Sequence, residues 1–269
     1  MKFLGTLIIT MSTLIFTSHA QITQVSTMEE VFSYFTEADS NTLGVFDIDM
    51  VLVQTEDPAF QMANMMLHRQ VAKKVMQELP SKKKEISLTL MTTKSESVLV
   101  DAKTPKYLEQ LSESKIPTIA LTANLTGSFP GIANLESWKV DRLSRLGIDF
   151  STSAPYKKQI VFSHLPSFRG NYSLYVNGIL FANGPKVSKG DVLVAFFEKT
   201  GFYPSKVIFI DDREENLISV EEALEKLGKS IQFQGLLYTG AKDYPSTIIS
   251  EELFRSKWHE IVLEAQMTE

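Results

Sequence analysis

The sequence predicts an α/β fold with a central, mostly parallel sheet flanked by helices. Two observations carry this prediction. Short apolar runs of strand length alternate with stretches of helical periodicity, which is the pattern of a parallel sheet covered on both faces. Two of those runs, residues 43–46 and 206–210, end abruptly in paired acids. Because open α/β sheets bind ligands at the carboxyl ends of their strands, these acids mark a candidate site at one edge of the sheet.

Composition and charge exclude several classes of protein. The chain has 269 residues, of which 43% are hydrophobic and 22% charged, as in an ordinary globular protein. This length holds one large domain, or one domain with a smaller insertion. The formal net charge of −5 argues against nucleic acid as the main partner. The absence of cysteine excludes disulfides, thiolate catalysis and cysteine-based zinc sites.

The first twenty residues have the pattern of a cleaved secretory signal peptide. Lys2 supplies positive charge, residues 3–16 form an apolar stretch, and Ser18-His19-Ala20 fits a cleavage site. The alternative is an uncleaved anchor, but the stretch is short for a spanning helix and is interrupted by polar residues. We therefore expect an exported protein, periplasmic or secreted, without stable membrane insertion after cleavage.

The elements up to the second core strand are predicted from periodicity and from stop signals. Asp57 fits an N-cap with Pro58 at the first helical position, Pro80 ends that helix, and the lysine run 82–84 is predicted to be a solvated loop. The predicted order is a helical segment within residues 21–41, a strand to Asp47, a helix from Asp57 to Leu79, a helix from Thr104 to Ser114, and a strand from Pro117 to Thr122.

The rest of the chain continues the alternation of strands and helices. Asn177-Gly178 between apolar residues is the strongest short hairpin signal, and Ser188 fits an N-cap. The predicted order is a helix through Trp138, Leu143 and Leu146, a strand at 159–162, the hairpin, a helix from Ser188 to Lys199, a strand to Asp211, a helix from Glu214 to Leu227, a strand from Ile231 to Leu237, and a helix from Ser250 to Ala265.

The position of the acids within this order predicts a domain division. A largely helical stretch, residues 53–115, separates the first acidic motif from the second core strand, and it is predicted to be a cap. Residues 21–52 and 116–269 are then the core, with an accessory insertion at about 126–185. His68, His164 and His259 share no metal-ligand spacing, so we interpret them as structural.

The acids themselves indicate a metal site. Asp47 and Asp49 are two residues apart, so in extended chain they point the same way. Two such carboxylates repel each other unless a cation lies between them or one keeps its proton. Asp211 and Asp212 add a second pair at the end of another strand. Four converging carboxylates favour the metal interpretation.

Four elements in chain order resemble the haloacid dehalogenase superfamily of phosphotransferases and phosphatases. They are Asp47-x-Asp49 within the stretch 46–52, Thr122 at a strand end, Lys189-Gly190 at a helix start, and Asp211-Asp212 after Ile210. The resemblance covers essentially the whole chain after the signal. The chain also looks like an uncharacterised group of exported bacterial proteins within that superfamily. The fold that the resemblance implies is a Rossmann-like core with a cap.

The resemblance implies a role for each residue. Asp47 would form an aspartyl-phosphate, and Asp49 would serve as general acid and then as general base. Mg²⁺ would be held by Asp47, by the backbone carbonyl of Asp49 and by Asp211, with Asp212 supporting it directly or through water. Lys189 would balance charge, and Thr122 would hold phosphate oxygens.

The implied activity is magnesium-dependent hydrolysis of a phosphomonoester on a small phosphorylated metabolite. A general acid at Asp49 favours a phosphatase over a dehalogenase. Two alternatives stay open: a phosphotransferase using the same intermediate, and a non-catalytic exported binding protein. Arg142 is interpreted as part of an exposed helix face, and Asn124 as a turn residue. For Asn216 two interpretations stand equally: a residue that supports the metal ligands, or a surface residue. The sequence does not predict an oligomeric state.

Overall fold

Two sheets organise the residues that the structure describes, 22–268 of a computed structural model. The predicted signal peptide, residues 1–20, lies outside them. In chain order the strands are β1 (Ile22–Val25), β2 (Thr42–Phe46), β3 (Val53–Thr55), β4 (Ser97–Leu99), β5 (Thr118–Thr122), β6 (Ile160–Val161), β7 (Leu174–Val176), β8 (Ile179–Phe181), β9 (Lys206–Asp211) and β10 (Gln232–Tyr238).

The main sheet is mostly parallel. Its eight strands follow the order β1-β10-β9-β2-β5-β8-β7-β6. Each pairing from β1 across to β8 is parallel, and only the β8–β7 and β7–β6 pairings are antiparallel. β3 and β4 form a separate antiparallel pair. The predicted α/β fold with a central, mostly parallel sheet flanked by helices is confirmed.

Nine α-helices among the described residues accompany the sheets. They are α1 (Met28–Ser33), α2 (Met62–Leu67), α3 (Arg69–Gln77), α4 (Ser81–Thr93), α5 (Thr104–Glu113), α6 (Leu135–Arg145), α7 (Lys189–Thr200), α8 (Glu214–Leu227) and α9 (Glu251–Met267). Short 3-10 turns lie at Pro58–Phe60 and Gly240–Lys242. The helices predicted from the Ser188 cap and from Glu214 are confirmed as α7 and α8.

The central strands bury both faces, which explains their unbroken apolar runs. Along β9, Val207 and Phe209 belong to one apolar cluster, whereas Ile208 and Ile210 belong to another. This alternation follows from the two-residue period of a strand. Helices α7 and α8 cover the first face, and α1 and α5 cover the second. The sheet is therefore the middle layer of three.

A third apolar cluster joins the helical stretch after β3 to the C-terminal helix. Phe60 and Leu90 pack there with Phe254 and Trp258 of α9. α5, by contrast, contributes Leu108 and Leu111 to the cluster against the sheet. The division into a cap at 53–115 and a core stays a prediction.

The predicted helix from Asp57 to Leu79 is wrong as one element. It is broken into the 3-10 turn, α2 and α3, with the second break at His68. The His68 ring packs 4.8 Å from the Phe254 ring, and its Nε2 lies 3.0 Å from the Ile249 carbonyl oxygen. Contacts with α9 and with the segment just before it thus override the continuous helical pattern of the sequence.

The predicted lysine loop is also wrong, because residues 82–84 lie in the first turn of α4. Ile86 and Leu90 of that helix pack against α9, and this burial favours the helix. Lys83 donates to the carbonyl oxygens of Gln266 and Thr268, at 3.0 and 2.5 Å. The lysine therefore contacts the C-terminus of α9, where a helix attracts cations.

Two features of the fold carry no strong signal in the sequence. β1 pairs with β10 at the edge of the sheet, and its four residues are too few to show a period. The β3–β4 pair is shorter still.

Among the described residues, no helix combines the length and apolar character needed to cross a bilayer.

Candidate active site

Three neighbouring parallel strands bring the predicted acids to one edge of the sheet. β2 pairs with β9 on one side and β5 on the other, so Asp47, Asp211 and Thr122 all lie at carboxyl ends that meet. The backbone N–H of Asp47 donates to the Ile210 carbonyl oxygen at 2.9 Å, which extends the ladder to the site itself. Apolar strands in register therefore position these polar ends.

Lys189 joins two of these strands electrostatically. Its ammonium lies 2.6 Å from Asp47 Oδ1 and 2.6 Å from Asp211 Oδ2, and only 3% of its side chain is exposed. Lys189 is the first residue of α7, whose start is fixed by a reciprocal pair of hydrogen bonds between Ser188 and Asp191. The helix start therefore delivers the ammonium between the carboxylates.

The glycine after Lys189 allows α7 to approach α8 closely. A Cβ atom at Gly190 would lie 2.1 Å from the Ser219 carbonyl oxygen and 2.7 Å from the Ala223 side chain. Neither contact is possible for real atoms, so only glycine fits between the two helices. This close packing sets the depth at which Lys189 enters the site.

Asp47, Asp211 and Asp212 form an acidic cluster whose carboxylate oxygens lie within 4.8 Å of one another. Three ionised carboxylates and one ammonium leave two negative charges unbalanced. Burial, opposed in part by Lys189, raises the pKa of Asp47 well above its ordinary value. Burial and the nearby Asp211 raise the pKa of Asp212 to about 7. Burial and mutual repulsion therefore both oppose full ionisation of the three acids.

Asp211 is held in place within the cluster by several hydrogen bonds. Its Oδ1 accepts from the backbone N–H of Arg213 and from Asn216 Nδ2, each at 2.9 Å, while Oδ2 accepts from Lys189. Burial works against the ammonium of Lys189, but Asp211 and Asp47 together raise its pKa. Lys189 therefore stays charged. Of the two interpretations of Asn216, the structure supports the one in which it holds an acid of the site.

Asp49 faces a different set of neighbours from Asp47. Its Oδ2 accepts from Asn124 Nδ2 at 2.8 Å, and its Oδ1 lies 3.2 Å from Lys139 Nζ. Met50, the next residue, has φ 65° and donates its N–H to the Val53 carbonyl oxygen, which makes a tight turn after β2. Among the described residues, the carboxylate of Asp49 is not part of the acidic cluster.

Thr122 closes β5 next to this turn. Its hydroxyl oxygen accepts from the backbone N–H of Asn124 at 3.1 Å, and the residue is buried. The hydroxyl thereby shapes the loop that brings Asn124 to Asp49. The interpretation of Asn124 as a turn residue is therefore incomplete, because its side chain also binds the second predicted catalytic acid.

Lys139 contacts Asp49, and sequence reasoning missed it. Its side chain is 5% exposed, although it belongs to a helix predicted only from its apolar residues. The signal was present: Leu135, Lys139 and Leu143 recur every four residues, so the lysine falls within the buried stripe of α6. A lysine at an apolar position of a helix is a candidate for a site.

The interpretation of Arg142 as part of an exposed helix face is wrong. The residue is buried, its guanidinium donates to the Ser95 carbonyl oxygen, and it forms an ion pair with Glu96 at 3.0 Å. It also lies 4.6 Å from the centre of the Trp138 ring. Arg142 therefore connects α6 to the segment just before β4.

A narrow cavity lies between α4 and α6, beside Asp49. Asn124 and Lys139, which both contact Asp49, form part of its wall. Leu125, Trp138 and the threonines 89, 92 and 93 complete most of the lining. A larger groove of about 530 Å³ lies between residues 56–58, 94–96 and α9, and its lining contains none of the predicted site residues.

Comparison with known proteins gives relatives whose functions are not assigned. An uncharacterised protein of Rickettsia bellii is 32% identical over 152 residues, which cover 56% of this chain and 51% of that protein. One of Rickettsia felis is 36% identical over 135 residues, 50% of this chain and 45% of that protein. A putative outer membrane protein of Chlamydia trachomatis is 27% identical over 106 residues, 39% of this chain and 36% of that protein.

The chain spans about half the length of the Rickettsia proteins it matches. Among solved structures, a haloacid dehalogenase-like hydrolase of Streptococcus pneumoniae has a TM-score of 0.37 and 16% identity, with 81% of this chain and 99% of that chain covered. The family described as "Protein of unknown function (DUF2608)" matches residues 24–266. The chain therefore belongs to the DUF2608 family.

Proposed function

We propose that this protein is a magnesium-dependent phosphomonoester hydrolase of the haloacid dehalogenase type, which acts through an aspartyl-phosphate intermediate. The observation that carries the proposal is the buried contact of Lys189 with both Asp47 and Asp211 at the carboxyl edge of a parallel sheet. A buried ammonium between two carboxylates, with a third acid adjacent, suits a site that receives an anion and a cation together.

Asp47 is the nucleophile in this proposal. Its Oδ1 accepts from the Ile48 backbone N–H at 2.8 Å and from Lys189, so the carboxylate has one orientation and Oδ2 is the oxygen that attacks. The attack forms a bond from Oδ2 to phosphorus and breaks the bond from phosphorus to the substrate's ester oxygen. Water then attacks the same phosphorus, which releases phosphate and restores Asp47.

Asp49 moves the protons of both steps. It donates one to the departing ester oxygen and afterwards takes one from the attacking water. The contacts with Asn124 and Lys139 keep its carboxyl group beside the cavity, on the side where the departing group would lie. Lys189 and Thr122 bind the oxygens of the transferring phosphoryl group and offset its charge.

The acidic cluster fits Mg²⁺. Its donors are all oxygen, which magnesium prefers, and its two unbalanced negative charges match a divalent cation. Asp47, Asp211 and Asp212 would hold the ion with their carboxylates, and Asp49 with its backbone carbonyl. When bound, the ion supplies positive charge that lets an anionic phosphate approach a carboxylate.

The substrate in this proposal is a small phosphorylated metabolite, and the partners do not include nucleic acid. The cap at 53–115 and the insertion at about 126–185 would enclose it, in line with the cavity between α4 and α6. The predicted signal peptide supports export, to the periplasm or outside the cell. The name of the Chlamydia relative, a putative outer membrane protein, agrees with a location in the cell envelope.

The test is release of inorganic phosphate from a panel of phosphomonoesters, with Mg²⁺ and with a chelator. We expect Asp47→Asn to lower kcat by about a thousandfold or more, because a nucleophile is removed. Asp141→Asn removes an exposed acid on α6 and is the matched control. Phosphate release that survives in Asp47→Asn would refute the mechanism. Transfer to an added alcohol in place of water would identify a phosphotransferase, and a folded protein inert to the whole panel would favour a binding role.

A further inference from the structure

The ammonium of Lys139 is buried and has few polar partners in the described part of the chain. Only 5% of its side chain is exposed, and within residues 22–268 it forms an ion pair with Asp49 alone, at 3.2 Å. Charge-assisted contacts of this kind are usually about 2.7–2.9 Å. The ammonium also lies 5.5 Å from the centre of the Trp138 ring. Since a buried cation is costly unless it is well paired, Lys139 has capacity for a further anion.

A second residue in the same cavity wall, Asn124, has a polar atom without a partner among the described residues. Asn124 donates its Nδ2 to Asp49, which fixes the orientation of the amide because the carboxylate accepts. Its buried Oδ1 has no hydrogen-bond partner among the described residues. An unpaired acceptor next to an underpaired donor is costly in a structural core, whereas it is expected where a ligand completes the contacts.

The cavity that these two residues share limits the size of that ligand. It has room for about one water-sized group in the ligand-free protein. Leu125 and Trp138 give it apolar sides, and threonines 92 and 93 of α4 lie across from Lys139. One oxygen of a carboxylate suits such a space, whereas a nucleobase or a sugar ring would require α4 to move.

We propose that this cavity receives one carboxylate oxygen of the departing half of the substrate, and that Lys139 binds that carboxylate. The substrate is then a phosphorylated hydroxy acid, in which a hydroxyl group can donate to Asn124 Oδ1. This proposal depends on the proposed function only for the binding and transfer of the phosphoryl half of the substrate. It makes Lys139 a specificity-determining residue.

The first arm of the test compares two esters that differ only in the group proposed to meet Lys139. 3-Phosphoglycerate carries a carboxylate where glycerol 3-phosphate carries a hydroxymethyl group. We expect kcat/KM for 3-phosphoglycerate to exceed that for glycerol 3-phosphate by about tenfold or more. Lys139→Met should bring the ratio close to one, and Lys139→Arg should restore part of it. Lys106→Met, which removes an exposed charge, should leave the ratio unchanged.

The second arm measures binding without turnover. The phosphonates in which a methylene replaces the ester oxygen of each substrate are titrated by calorimetry with Mg²⁺ present. Tighter binding of the acid that disappears in Lys139→Met, without hydrolysis of any ester, would keep the subsite and refute the hydrolase. Hydrolysis with equal preference in wild type and Lys139→Met would keep the hydrolase and refute the subsite. Neither binding nor hydrolysis would refute both, and thermal melting establishes that each variant is folded.

Discussion

At the scale of single residues, the site depends on the charge balance around Lys189. The ammonium contacts Asp47 and Asp211, whose side chains are 9% and 0% exposed. Ion pairs at a surface contribute little to stability, but a buried pair that loses one partner leaves an uncompensated charge. Lys189 is therefore as important to the folded state as to the proposed reaction.

Lys189→Met tests this balance. We expect the variant to lose about 3–5 kcal/mol of unfolding free energy, because the acids are left buried without their cation. Urea denaturation at neutral pH measures the loss. Adding Asp47→Asn to the same chain removes one of the stranded charges, so the double variant should be more stable than the sum of the single losses predicts. Additive losses would show that the two groups do not interact.

The residues of the site also show what a sequence can and cannot predict. Asp47, Thr122 and Asp211 were predictable because each follows a short apolar run, and parallel strands bring such ends together. The contacts of Lys139 and Asn124 with Asp49 were not predictable, because they join residues that are 90 and 75 positions apart along the chain. Spacing on α6 marked Lys139 as buried, but only the fold shows which acid it meets.

At the scale of elements, the packing of α7 against α8 positions one residue of the site, Lys189. Their close packing at Gly190 fixes the position of Lys189, and the N-cap at Ser188 fixes where α7 begins. The sequence predicted both helices because their caps and apolar stripes agree. It failed for the helix at 57–79. There His68 contacts α9 and the segment before it, and these contacts outweigh the local preference for one continuous helix.

Gly190→Ala tests whether the packing of these helices positions the ammonium. The added methyl group would meet the Ser219 carbonyl oxygen, so α7 must shift from α8, at a cost of about 1–3 kcal/mol or more. Activity should fall with it. Gly201→Ala is the control, since that site is open and only its φ of 71° opposes alanine, at about 1 kcal/mol. Equal losses in the two variants would contradict the steric argument.

At the scale of the whole molecule, the acidic cluster connects stability to the proposed metal. Three acids lie around one ammonium at the carboxyl edge of the sheet, so without a divalent cation the folded protein either bears their mutual repulsion or keeps protons on them. A cation that binds only the folded state relieves this cost, and its binding free energy then adds to the free energy of unfolding. The melting temperature should therefore respond to the metal as well as to sequence changes.

Mg²⁺ should raise the melting temperature of the wild-type protein. At a Mg²⁺ concentration of one hundred times the dissociation constant, the free energy of unfolding rises by about 2.7 kcal/mol. Calorimetric scans with Mg²⁺ and with a chelator measure it. Asp211→Asn should lose most of the response, whereas Asp141→Asn, on the exposed side of α6, should keep it. An unchanged melting temperature in wild type at millimolar Mg²⁺ would argue against a metal site in the cluster.

The packing of α9 on the helical stretch after β3 also has a consequence for the order of folding. Lys83 and Gln266, which are in contact, are 183 positions apart along the chain. Closing so long a loop is slow, because its entropy is lost before the contact gives any return. We therefore expect neighbours in sequence, such as α7 and α8, to pack early, and α9 to join the helical stretch after β3 late in folding.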